Sequence, residues 1–105
     1  FKTVTEQYAE LSVSLTGDWN KPDSSVKANK QYVTAGDDVK LTITYGGTWE
    51  DDTVRTATAT VTSGGTMATN TATTDGTPVN NTDDFTGMKI GTVTADKLIL
   101  TISVS

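Results

Sequence analysis

Apolar and polar side chains alternate along much of this chain. From Val39 to Tyr45 the order is V-K-L-T-I-T-Y, with Val39, Leu41, Ile43 and Tyr45 on one face and Lys40, Thr42 and Thr44 on the other. A strict period of two is the mark of a half-buried β-strand. The preceding Ala35-Gly36-Asp37-Asp38 reads as a tight turn, because Gly accepts positive φ and Asp bonds back to nearby backbone. Tyr8 to Thr16 repeats the pattern with Ala9, Leu11, Val13 and Leu15 inward, and Leu98 to Val104 with Leu98, Leu100, Ile102 and Val104 inward. Thr53 to Thr62 sets Ala57, Ala59 and Val61 against a row of Thr. Lys30 to Thr34 reads as a short strand and Met67 to Thr73 as a weak edge strand. Phe85 to Val93 breaks its alternation at Gly87 and Gly91, and a bulge at Gly91 would let both Ile90 and Val93 reach the core.

Turn formers separate these runs. Trp19 to Asn29 is a loop around Pro22, with Val26 as its anchor. Gly46 to Asp52 is an aromatic, acidic loop. Ser63-Gly64-Gly65-Thr66 has the composition of a hairpin turn; Asp75-Gly76-Thr77-Pro78 and Thr94 to Lys97 also turn the chain, and Val79 to Asp84 is loop. Short strands with turn signals every eight to twelve residues predict an all-β sandwich of seven to eight antiparallel strands. Leu11, Val13, Leu41, Ile43, Leu100 and Ile102 are its expected fully buried residues. Residues 8–105 then form one domain, and 1–7 a polar linker from a preceding one.

Composition supports this picture. About a fifth of the 105 residues are Thr, a β-branched type that fits a pleated, half-exposed surface. No stretch has apolar residues at helical spacing. The net charge is −5 and the eight basic residues are scattered, which argues against nucleic acid as a partner. The acidic surface favours a soluble monomer. No run approaches the ~20 apolar residues of a membrane helix, so membrane insertion is not expected. The chain starts at Phe1 and stops at Ser105 in strand-like sequence, and both ends read as cuts from a longer protein.

The candidate chemistry is sparse. With no His and no Cys, the usual general base, metal ligand and activated thiol are missing. No catalytic residue, metal or cofactor is therefore expected. Asp37-Asp38, Glu50-Asp51-Asp52 and Asp83-Asp84 could supply oxygens for calcium, yet they follow no calcium-loop spacing and read instead as solvated turn residues. Nothing marks one carboxylate as buried, as a glycosidase pair would require. Trp19, Trp49, Tyr45 and Asp51 form the candidate ligand site. Loop aromatics beside polar side chains stack sugar rings in many carbohydrate-binding modules; the competing reading is that they cap the core, since Trp is highly buried on average.

Three runs carry a resemblance: A-G-D-D-V-K-L-T-I-T-Y, then A-T-A-T-V-T-S-G-G-T, and finally F-T-G-M-K-I-G-T-V-T-A-D-K-L-I-L-T-I-S-V-S. Together, over roughly Val33 to Ser105, they resemble the bacterial immunoglobulin-like domains of Gram-positive surface proteins and adhesins. The resemblance implies an immunoglobulin-like sandwich outside the cell, at the cell surface or wall. It would act as a non-catalytic spacer or ligand-presenting module, with adjacent domains of its own chain as partners and a glycan or host surface protein as ligand. The Cys…Trp…Cys hallmark of antibody domains is absent. The Lys–Asn cross-link of some such domains is not expected either, because Leu98 to Ser105 contains no Asn. The alternative function is carbohydrate binding through Trp19 and Trp49.

Overall fold

The structure is a computed structural model that describes residues 6–49 and 51–105. The expected linker over 1–7 lies outside the described residues except for its last two, and Glu50 of the acidic loop lies outside as well. Among the described residues nine strands form: β1 Ala9–Leu15, β2 Ser25–Ala28, β3 Tyr32–Val33, β4 Asp38–Thr44, β5 Thr56–Ser63, β6 Gly65–Thr69, β7 Thr71–Thr73, β8 Thr82–Val93 and β9 Lys97–Val104. A 3-10 turn, Gly17–Trp19, follows β1. The fold is all-β, as the alternation predicted.

The strands fall into two hydrogen-bonded groups. One runs β3-β1-β9-β5-β7 and the other β2-β4-β8, with β6 also paired to β8. β8 joins them, because Thr86 pairs with Thr73 of β7. The result is one mixed, curled sheet with the core inside the curl. β1 and β9 run parallel, from Glu10 opposite Lys97 to Leu15 opposite Ile102. The expectation of a wholly antiparallel set of seven to eight strands is corrected on both points. Two parallel strands alternate in the same way as antiparallel ones, so the period shows neither direction nor partner.

The core forms as the pattern predicts wherever a strand has neighbours on both sides. Val39, Leu41, Ile43, Phe85, Met88, Ile90, Leu98, Leu100 and Ile102 are buried. Leu11 and Val13 are corrected to half-buried. β3 covers β1 only at Ala9 and Glu10, so among the described residues the rest of that edge has no strand beside it.

Three local readings also change. The loop over Trp19 to Asn29 contains β2, whose Val26 pairs with Ile43. Met67 to Thr73 is two strands in different groups: β6 pairs with β8 and β7 with β5. Ser63-Gly64-Gly65-Thr66 is accordingly not a hairpin turn but the point where the chain crosses between groups. Gly64 takes φ +98°, and a Cβ there would lie 1.9 Å from the Lys97 carbonyl oxygen. Only glycine fits that conformation and that space. The bulge at Gly91 is present. Thr66 pairs with Thr92 and Met67 with Ile90, leaving Gly91 unopposed, and Ile90 is buried while Val93 packs against the core.

Burial sets the expected order of sensitivity. Leu41→Ala and Leu100→Ala should each cost about 2–5 kcal/mol, a large share of a domain's ~5–15 kcal/mol. Leu11→Ala, removing a half-exposed side chain, should cost clearly less. Urea unfolding of the three variants checks the ranking, and equal losses at all three would contradict the burial described.

Candidate functional site

The candidate residues meet at the end of the molecule where β1 and β4 finish. Trp19 closes the 3-10 turn after β1, Tyr45 follows β4, and Trp49 lies in the loop beyond. The Trp19 and Tyr45 rings are 4.4 Å apart. Trp19 meets Trp49 edge to face at 4.9 Å with 80° between planes, and Trp49 reaches Phe85 of the core at 6.1 Å. Edge-to-face contact sets a positive ring edge on a negative face, worth about 0.5–1.5 kcal/mol beyond the area buried.

Close backbone packing holds these loops together. A Cβ on Gly46 would sit 1.8 Å from the Pro22 carbonyl oxygen, so the loop before β2 lies directly on the loop after β4. The Gly46 amide donates to Ser24 Oγ at 2.7 Å. Asn81 supplies the third anchor. Its carbonyl accepts the Tyr45 amide at 2.8 Å, and its Oδ1 accepts the Trp49 amide at 3.0 Å.

Asn80 and Asn81 have φ +54° and +59°, and Val79 and Thr82 exchange both backbone hydrogen bonds. This is a two-residue hairpin turn with positive φ at both central positions. Val79 to Asp84, read as loop, is therefore this turn plus the start of β8. The Asn-Asn pair was the signal for it, since Asn tolerates the left-handed region better than other non-glycine residues. Arg55 was also missed. Its guanidinium carbon lies 5.4 Å from the Trp19 ring centroid, and Nη2 donates to Asp51 at 2.9 Å. A scattered basic residue gives no sequence signal of an aromatic partner.

The structure thus brings Trp19, Tyr45 and Trp49 together and places Asp51 at their rim through Arg55. It does not leave the indoles exposed: Trp19 is 7% and Trp49 2% accessible. Sugar stacking needs an open ring face, and these faces are covered by Tyr45, Phe85, Arg55 and each other. Trp49 Nε1 and Arg55 Nε have no hydrogen-bond partner among the described residues.

The acidic residues are engaged locally. Asp37 accepts the Thr34 amide at 2.9 Å. Asp38 pairs with Lys89 at 3.1 Å. Asp84 accepts Thr42 Oγ1 at 2.7 Å, and Asp83 accepts the hydroxyl of the buried Thr74. No group of three His, Cys, Asp or Glu side chains able to hold a metal occurs among the described residues. At the opposite end, exposed Tyr8 donates to Glu6 at 2.7 Å. That hydrogen bond, with the charge on Glu6, raises the phenol above its ordinary value.

Comparisons with protein-family models, curated proteins and solved structures find no match for this chain.

Two outcomes are expected. Tryptophan emission should be blue-shifted and resist iodide quenching, and Trp19→Ala or Trp49→Ala should destabilise by about 3–5 kcal/mol; red-shifted, freely quenched emission would place the rings in water. Millimolar calcium and EDTA should leave the melting temperature unchanged, whereas a rise of several degrees with calcium would reveal a site formed only in the folded state.

Proposed function

We propose that this chain is an immunoglobulin-like structural module of a bacterial surface or secreted protein, non-catalytic, holding neighbouring domains apart. The observation that carries the reading is the parallel pairing of the first and last strands. Parallel neighbours start at the same end, so segments joined before Ala9 and after Val104 leave the β1–β9 ladder at its opposite ends. Tension along the chain then pulls β1 and β9 in opposite directions along their own length. The ladder between them is loaded in shear, with its hydrogen bonds sharing the force rather than opening one at a time. The closed aromatic end adds rigidity without offering a platform. An extracellular, cell-wall setting and a Gram-positive origin belong to the same proposal and rest on the sequence resemblance.

Carbohydrate binding through Trp19 and Trp49 is the weaker reading, because both indoles are buried.

Force spectroscopy tests the spacer role, and the lack of native cysteine makes attachment specific. Pulling through cysteines at Gln7 and Ser105 should unfold the domain at markedly higher force than pulling through Thr56 and Ser105. Those last two are hydrogen-bonded neighbours, so force on them unzips β5 from β9. Equal forces would remove the mechanical argument. A glycan-array hit with a dissociation constant below about 100 μM (near −5.5 kcal/mol), lost on Trp49→Ala, would replace the spacer reading with sugar binding.

A further inference from the structure

The exposed flank between β1 and β2 is built differently from the rest of the surface. A cleft of about 500 Å³ lies there, lined by Leu11, Val13, Val26, Lys27, Ala28 and Lys30 among others. It continues past Val13 and Val26 into a second cleft of about 400 Å³ that reaches Leu15 and Ser25. Its floor is apolar, because Leu11, Val13, Leu15, Val26 and Ala28 are half-buried against the core.

Among the described residues, both walls of the cleft are strand edges with no strand paired to them over this stretch. The Asn29 amide donates to Lys40 of β4, and bonded pairs alternate along an antiparallel ladder. Lys27 and Ser25 therefore bond toward β4, while the backbone N–H and C=O groups of Val26 and Ala28 point into the cleft. On the facing wall, Glu10 and Thr16 donate toward β9 and Leu11 toward Gln31. By the same alternation Val13 and Leu15 present their backbone groups to the cleft.

The charge of this flank is inverted relative to the chain. Acids outnumber bases 13 to 8 overall, yet among the described residues the two clefts are lined by Lys27 and Lys30 and by no acidic side chain. Lys30 lies 3.9 Å from Asp37; Lys27 has no ion-pair partner among the described residues. A lysine on an open edge discourages pairing with another neutral or basic strand, but a carboxylate directly across the ladder reverses that effect.

We propose that the β2 edge receives a short extended peptide segment from another protein, one that alternates apolar with acidic residues. The segment adds to β2 as an antiparallel strand and takes up the backbone groups of Val26 and Ala28, the mode called β-augmentation. Its apolar residues enter the cleft over Leu11 and Val13, and its acidic residues lie on the outer face opposite Lys27. A second copy of this chain is a poorer occupant, since the outward positions of its longer strands are mainly Ser and Thr and it carries the same net negative charge.

The test titrates the ¹⁵N-labelled protein with a soluble decapeptide alternating Val and Glu, beside a control with Lys for every Glu. The acidic peptide should slow hydrogen exchange at the Val26 and Ala28 amides and shift their resonances. Lys27→Glu, a surface change that leaves the core intact, should weaken binding by about three- to tenfold, and the Lys control should bind the parent less tightly. Equal binding of the two peptides, or no effect of Lys27→Glu, overturns the charge assignment. Absence of exchange protection at Val26 and Ala28 overturns the site. Protection that grows with protein concentration before peptide is added would assign the edge to self-association and overturn the proposed occupant.

Discussion

Everything in this fold depends on β8, the long strand that belongs to both groups. Phe85, Met88 and Ile90 are all buried, yet a regular strand would send Phe85 and Met88 to opposite faces. An irregularity removes the conflict. Leu41 pairs with Phe85 and Val39 with Met88, so two residues of β8 stand against one of β4. A second irregularity at Gly91 turns Val93 inward after Ile90. Each extra residue reverses the facing of the side chains beyond it and increases the local twist. This lets one strand supply three large core side chains and also curl far enough to pair with β4, β6 and β7.

The aromatic cluster is the closing element of that curl. Without it, the end of the core formed by Ile43 and Phe85 would open to water between three loops. Trp19, Tyr45 and Trp49 come from separate segments and close that end, with Asn81 fixing the loop by accepting two backbone amides. The features that make an aromatic loop resemble a sugar platform, large rings beside polar turn residues, also describe a core cap. Accessibility separates the two, and here the ring faces are taken up by one another.

The same curl leaves β1 and β2 facing each other across a flank that they do not bridge. β3 is too short to cover the outer edge of β1, and among the described residues β2 pairs only with β4. The molecule is thus closed at the aromatic end and open along one side. The proposed end-to-end transmission of force and the proposed lateral pairing with another strand would use different surfaces and would not compete.

By itself the sequence determined which way side chains face along the regular strands. Period-two alternation in Val39 to Tyr45, Tyr8 to Thr16 and Leu98 to Val104 defined the strands and their inward faces, and Gly91 marked its bulge, because side-chain facing is a property of the nearest backbone. Only the tertiary structure decided which strands are neighbours. That choice made β1 parallel to β9, turned Ser63-Gly64-Gly65-Thr66 from a hairpin into a crossing, split Met67 to Thr73 between two groups, and left Leu11 and Val13 half-exposed. Backbone hydrogen bonds join N–H and C=O groups that every residue type carries, so the alternation of side chains holds no record of the partner. For the same reason the fate of Trp19 and Trp49 was not legible in their own loops: it rests on Asn81, Arg55 and Phe85, which are distant in sequence and meet them only when the sheet curls.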